Sequence, residues 1–272
     1  MEVHIFDVAH GFCALVVADN GNTMLIDCGH NDETGFYPAD YLRRSGCTGI
    51  ERFFITNYDE DHLSGLPRLR ELASWVPIHI LHRNKSLTAD QLRAIKRQGG
   101  PLGEGMKALL DMIATYTGEV TSPPAFPNVD YSVFYNSYPE FTDTNNLSLV
   151  LFVHYPGLSV VFPGDLEKAG WRELLKGDSF RQNLSRVNVF VASHHGRESG
   201  YTPEVFNHCR PDIVIISDES MQYETQQTHY AQYASGIPTY LGRPRKVYTT
   251  RNDGKITLSI STQSRGYTVT CG

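Results

Sequence analysis

The sequence predicts a four-layer αββα sandwich, mixed α+β and α/β in kind, in which two sheets face each other and helices cover their outer sides. Three observations predict it. The strand and helix pattern of the first eighty or so residues returns after residue 130, no linker-like segment separates the halves, and four apolar runs end in an acid or a histidine. Strand ends of that kind are where α/β proteins place their chemistry. A single domain is expected over residues 1–272, with a helical insertion or cap at about 84–120.

The elements follow in order. Val3 to Val8 and Cys13 to Ala18 read as strands, and Asn20-Gly21 before Thr23 to Asp27 is a strong hairpin signal. Phe36 to Ser45 reads as a helix with Tyr37, Tyr41 and Leu42 on one stripe. The strand Ile50 to Thr56 runs into Asn57-Tyr58-Asp59-Glu60-Asp61-His62, followed by a helix over Leu66 to Leu72 and a short strand over Ile78 to Leu81. Ser86 to Lys96 and Glu104 to Ala114 have helical periodicity, broken by Gly99-Gly100-Pro101-Leu102-Gly103 and closed by Ser122-Pro123-Pro124. Strands resume at Tyr131 to Tyr135, Ser148 to His154 and, after a Pro156-Gly157 turn, Ser159 to Phe162. A helix over Glu167 to Leu175, a strand over Val187 to Ala192, a helix over Pro203 to Asn207 and a strand over Ile213 to Ser217 come next. The tail gives a helix at His229 to Ala234 and a closing hairpin, Lys246 to Thr250 with Lys255 to Ile260, around Asn252-Asp253-Gly254.

Composition bounds the function. With 272 residues, 40% apolar and 20% charged, the chain can bury one large core or two modest ones. A formal charge of −6 gives no whole-chain footprint for nucleic acid. Arg68, Arg70, Arg93, Lys96 and Arg97 could line a local basic groove, although a solvated helical face is the simpler reading. The five cysteines, Cys13, Cys28, Cys47, Cys209 and Cys271, lack any CxxC spacing, which argues against a disulfide framework or a thiolate zinc site. No basic leader precedes the first strand and no run approaches the roughly 18 apolar residues of a membrane span, so a cytoplasmic protein without a membrane partner is expected.

The four strand ends carry Asp27, the Asp59-Asp61-His62 loop, Asp165, and His194-His195. Singly, Asp27 or Asp165 reads as a helix cap, Asp59 to Asp61 as a loop cap, and each histidine as a surface or backbone-bonded ring. Together they form a site. Carboxylates mixed with imidazoles suit zinc, manganese or iron, and Asp165 is suited to bridge two ions about 3.5 to 4 Å apart. Strand alternation implies that only one of His194 and His195 points inward. Isolated His79, His82, His154 and His208 read as structural, and Tyr58 could stack on a substrate base, although most tyrosines pack.

These residues resemble, in order, the motifs of the metallo-β-lactamase superfamily: Asp27 in Leu25-Ile26-Asp27-Cys28-Gly29, the loop ending Asp61-His62, Gly164-Asp165, and His194-His195-Gly196. The resemblance covers nearly the whole chain. Within the superfamily it is similar to the C-terminal hydrolase domain of ComEC-type DNA-uptake competence proteins, through Asp7-Val8-Ala9-His10-Gly11, Asn145-Asn146-Leu147-Ser148-Leu149-Val150, and Tyr248-Thr249-Thr250 with Gly254-Lys255-Ile256. Two departures stand out. Asn57 occupies the place of the loop's first histidine, and Asn145, Asn146 and Ser148 occupy the region of the superfamily's third.

The resemblance implies one or two divalent ions, zinc or manganese favoured and magnesium a third candidate. Site one would hold Asn57, Asp59 and Asp165; site two would hold Asp61, His62, Asp165 and one of His194 or His195. Asn57 leaves three outcomes: one tight ion in site two, a second and harder ion in site one, which is favoured, or lost catalysis. Asp61 would orient or deprotonate the water that becomes a metal-bound hydroxide, His229 would serve as acid or phosphate contact, and Asp27, Asn146 and Ser148 would meet substrate or support the ligands. The implied activity is a metal-dependent phosphodiesterase or nuclease-like hydrolase acting on nucleic acid or a nucleotide, with the block from Ser86 to Ala114 lying across the cleft. A weakened or inactive interaction module, and a lactone or thioester hydrolase, are the alternatives. Asn57→His is expected to raise the metal content toward two.

Overall fold

The computed structural model describes every residue except 220–223, 240–241 and 265. Five strands open the chain, β1 (Glu2–Ile5), β2 (Ala14–Val17), β3 (Thr23–Ile26), β4 (Arg52–Phe54) and β5 (Leu81–His82). Six follow, β6 (Asp130–Tyr135), β7 (Leu149–Tyr155), β8 (Leu158–Phe162), β9 (Val189–Val191), β10 (Ile213–Ile216) and β11 (Val247–Thr249), and β12 (Ile256–Ser259) and β13 (Thr268–Cys271) close the chain. They form two mixed sheets, β13-β12-β1-β2-β3-β4-β5 and β11-β10-β9-β8-β7-β6.

Helices α1 (Pro38–Arg44), α2 (Glu60–Leu63), α3 (Leu66–Glu71), α4 (Ala89–Gln98) and α5 (Glu104–Thr115) belong to the first half, and α6 (Lys168–Leu174), α7 (Asp178–Leu184), α8 (Gln227–Ala231) and α9 (Thr250–Asp253) to the second. Strand alternation sorts the side chains into three cores between four layers. Leu25 and Phe53 face the helices with Leu63, Leu66 and Leu109. Met24, Ile26 and Phe54 face the other sheet, against Leu149, Leu151, Phe162 and Val191. On the far side Val150, Phe152 and Phe190 pack on Trp171, Phe180 and Tyr230. Every residue of β3, β7, β8 and β10 is buried, as strands covered on both faces require. Each fully buried large apolar side chain contributes about 1.5–3 kcal/mol, so these three cores supply the main driving force for the sandwich.

This layering positions the site. In the first sheet β3 and β4 run parallel with Ile26 beside Phe54; in the second, β8, β9 and β10 run parallel with Val161 beside Phe190 and Val191 beside Ile215. Their carboxyl ends meet at one edge, where Leu149 N donates to Thr56 O at 2.8 Å and joins the two sheets.

Several elements depart from the sequence reading. The predicted closing hairpin does not form: β11 pairs parallel with β10, β12 pairs with β1 and β13, and α9 lies between them. The Asp253 carboxylate accepts from Thr249 N at 2.9 Å and pairs with Arg245, so the Asn252-Asp253-Gly254 signal makes a corner between sheets. The strand predicted over Ile78 to Leu81 shortens to β5 at Leu81–His82, with Ile78 making only a bridge to Ile50. Helix α7 and edge strand β13 were absent from the pattern reading, being short and weakly periodic. The stretch read as an insertion or cap is divided. Helix α4 buries only Leu92, whereas α5 sends Met106, Leu109, Leu110, Met112 and Ile113 into the first core and is part of the helical layer.

Candidate metal centre

The loop after β4 is shaped by its own side chains. Asn57 is fully buried; its Oδ1 accepts from the backbone N of Tyr58 and, at 3.0 Å, of Asp59, and its Nδ2 donates to Asn145 Oδ1 at 3.2 Å. Tyr58 is buried as well, its hydroxyl donating to Asn84 O at 3.1 Å, so it packs in the core instead of presenting a ring to substrate. The turn then enters α2, which carries Asp61 and His62 inward.

His62 lies between two carboxylates. Its Nδ1 is 2.7 Å from Asp27 Oδ2 and its Nε2 is 3.1 Å from Asp165 Oδ1, all within buried surroundings. Asp27 also accepts from Thr56 N at 2.7 Å and from the Thr56 hydroxyl, and so fixes the ring from behind. That is the carboxylate–histidine arrangement that orients metal-binding imidazoles. Asp165 N donates to Ser148 Oγ at 3.2 Å, which makes Ser148 a brace for this acid. Gly164 before it has φ +58, and a Cβ there would stand 3.0 Å from Thr56 Oγ1.

The histidine pair is resolved by backbone strain. His194, His195 and Gly196 have φ of 49, 54 and 77, a left-handed run that non-glycine residues adopt only when their surroundings impose it. His195 Nδ1 donates to Ser217 O at 3.0 Å, leaving Nε2 3.3 Å from Asp61 Oδ2 and 3.5 Å from Asp165 Oδ1. This Nε2 is buried and makes no hydrogen bond of good geometry. His194 turns the other way, its Nδ1 2.9 Å from Ser199 Oγ and 3.2 Å from Glu167 Oε1, and its Nε2 3.2 Å from Arg197 Nη1. The expectation of one inward histidine holds in outcome, but the cause is a strained turn and not strand alternation. Asp27 and Ala9, both with φ 55, add further strain around the same centre.

The ligand atoms of Asp61, His62, Asp165 and His195 lie within 4.8 Å of one another. Of the other residues expected to hold metal, Asn57 is committed to its loop, Asp59 to Lys96 Nζ at 2.5 Å and Thr144 Oγ1 at 2.9 Å, and His194 to the contacts above. Asn146 accepts from Gly170 N at 2.8 Å and donates to Asp143 Oδ2 at 3.2 Å, a structural role at the start of α6 and not a substrate contact. His229 is exposed on α8 with its ring on Tyr201, and among the described residues no contact joins it to the four.

Two groups at the centre were not singled out from sequence. His10 Nε2 is 3.4 Å from Asp61 Oδ2, and Arg197 Nη2 reaches the same nitrogen at 2.7 Å. The signal for His10 was its place in Asp7-Val8-Ala9-His10-Gly11. Gly11 and Gly29 are required there, because a Cβ on either would stand 2.3 or 2.5 Å from Asp61 O.

Electrostatics explain why these groups tolerate burial. Burial opposes ionisation of Asp165, but the His62 and His195 imidazoles outweigh it and hold the carboxyl well below its usual range. Asp61, opposed by burial and favoured by His195 and His62, falls to about 2. Burial would lower His195, yet Asp165 and Asp61 raise it to about 9, and Asp165 and Asp27 raise His62 well above its ordinary value. His10 is pushed down to about 4 by burial and by neighbouring His195. Without metal, two imidazoliums balance Asp61 and Asp165; a divalent cation with both rings neutral gives the same balance. The donor set fits such an ion, with two nitrogens, two carboxylates and an unsatisfied buried nitrogen.

A family model described as the metallo-beta-lactamase superfamily matches residues 7–202. The chain belongs to the metallo-β-lactamase superfamily. That membership implies divalent metal binding and points to metal-dependent hydrolysis in general. The superfamily chain is similar to ComE operon protein 3 of Bacillus subtilis (strain 168), 25% identical over 179 residues, which cover 65% of this chain and 21% of that protein. It therefore spans about a fifth of that relative. Among solved structures it resembles YhfI, a metallo-beta-lactamase fold protein from Bacillus subtilis, with TM-score 0.51 and 11% identity over 94% of this chain and 98% of that one. It also resembles a variant of the CmlA β-hydroxylase, with TM-score 0.55 and 12% identity over 95% of this chain and 54% of that one. These likenesses establish the fold, and a β-hydroxylase among them shows why the reaction must be argued from the site. Among the described residues no helix is long and apolar enough to cross a membrane.

Proposed function

We propose that this chain is a metal-dependent phosphodiesterase or nuclease-like hydrolase working at Asp61, His62, Asp165 and His195. The observation that carries the metal-dependent reading is the buried His195 Nε2, which makes no hydrogen bond of good geometry yet faces Asp61 and Asp165 beside the braced His62. The preference for phosphodiesters, in a nucleic acid or a nucleotide, rests on the resemblance of the Asp7–Gly11, Asn145–Val150 and Tyr248–Ile256 motifs to competence-protein hydrolase domains. Zinc and manganese are the favoured ions on the mixed nitrogen and oxygen donors.

A bound divalent ion supplies Lewis acidity and lowers the pKa of water toward about 7. The chain's own groups supply the rest. Asp61 presents Oδ2 between His10 and His195 and can orient or deprotonate the attacking water. Asp27 holds the His62 ring, Ser217 O fixes the His195 tautomer, and Arg197 beside His10 places positive charge near the acid. Phe12, Phe162 and Val191 line the pocket and exclude bulk water, strengthening these interactions. The intact four-residue cluster argues against an inactive interaction module.

The test is elemental analysis of the purified protein together with hydrolysis of bis-nitrophenyl phosphate in manganese, zinc and magnesium. Bound metal with turnover, and loss of at least roughly 100-fold on Asp165→Asn, is the expected outcome. No metal and no turnover in any of the three would overturn the reading.

A further inference from the structure

Asp59 and Asn57 stand on the same loop as Asp61 and His62, yet the structure closes their side of the centre with the protein's own groups. Asp59 Oδ1 accepts from Lys96 Nζ at 2.5 Å and from Thr144 Oγ1 at 2.9 Å. Asn57, fully buried, gives its oxygen to the loop backbone and its amide to Asn145. The set that gathers within 4.8 Å contains neither residue. A second ion would have to share Asp59 with the Lys96 ammonium and the Thr144 hydroxyl already on Oδ1, and break the turn that Asn57 holds, so these residues fit one poorly.

Lys96 is built into this position. It sits in the last turn of α4, where the helix dipole favours a cation, and one turn beyond the buried Leu92, on the face turned inward. The next helix is pinned to the same loop from the other side: Glu60 accepts from Gly105 N at 2.6 Å and from Met106 N at 3.2 Å. Two consecutive acids of the metal loop thus anchor the α4–α5 arm, one through Lys96 and one through the first turn of α5.

We infer that the centre is mononuclear and that Lys96, as a tethered ammonium, takes the Asp59 carboxylate that a second ion would otherwise use. This rests on the metal-dependent reading above. An ammonium can balance charge on a substrate phosphate, but it has no vacant orbital with which to coordinate a water or an oxyanion. The Asn57 side therefore offers an ion pair and a hydrogen-bonded turn in place of an open coordination position.

The experiment counts manganese and zinc in chelator-stripped, reloaded and desalted protein by elemental analysis, with circular dichroism and thermal melting to establish folding. One ion per chain is expected for the wild type and for Asn57→His, because Lys96 still holds Asp59. Two are expected for Asn57→His/Lys96→Met, and one for Asn57→His/Lys96→Arg, in which the ion pair is kept. Two ions in the wild type or in Asn57→His alone, or one in a folded Asn57→His/Lys96→Met, would overturn the inference while leaving a metal hydrolase in place. Should that double variant not fold, the wild type and Asn57→His still decide. No ion in any variant would overturn the underlying reading itself.

Discussion

The two ends of one six-residue loop, Asn57 to His62, have been put to opposite uses. At its far end Asp61 and His62 join Asp165 and His195 in a set whose ligand atoms converge, with one buried nitrogen that makes no hydrogen bond of good geometry. At its near end Asn57 and Asp59, with comparable polar atoms, are engaged by the backbone, Asn145, Thr144 and Lys96. Residue type alone does not make a metal ligand. What separates the ends is whether the polar atoms converge on one point, as the four ligand atoms do within 4.8 Å, or are spent on the loop and the α4 arm.

The sharpest way to break this contrast is within the histidine pair. His195→Ala should abolish tight metal binding, measured by elemental analysis, whereas His194→Ala should keep the metal and cost on the order of 1 kcal/mol of stability through its lost hydrogen bonds. Equal metal loss in both would mean that the turn, and not the His195 ring, holds the ion.

Next in size is Asp27→Asn. Asp27 braces His62 from outside the set, so a roughly 10–100-fold weaker metal affinity in a titration is expected, with the fold retained. Unchanged affinity would remove Asp27 from the centre.

A smaller effect should appear with pH. His195 is raised from 6.5 to about 9 in the metal-free protein, so it contributes stability that is complete below about 6.5 and lost as pH rises through about 9. Metal requires the neutral ring, so affinity should strengthen over the same interval and uptake at pH 7 should release protons. Melting curves in chelator and calorimetry in buffers of different ionisation enthalpy test both signs. Uptake without proton release would contradict the assignment.

The sequence made one part of this comparison readable and hid the other. Met24–Ile26, Val160–Phe162 and Val189–Val191 are apolar runs followed within three residues by chemistry-bearing ones, and parallel strands deliver their carboxyl ends to one edge, so Asp27, Asp165 and the histidine pair could be placed in one site. The choice between His194 and His195 was not readable, because a left-handed turn sets it. Nor was the Lys96–Asp59 pair, whose partners lie 37 residues apart and whose lysine looks like one more charge on a solvated helix. The same limit explains the closing strands: a turn signal at Asn252-Asp253-Gly254 marks a change of direction without saying which strand each neighbour will join.

The most direct test is anomalous diffraction from crystals of the metal-loaded protein. One peak is expected, bounded by Asp61, His62, Asp165 and His195, with Lys96 still on Asp59; a peak against Asp59, or none beside His195, would contradict the account.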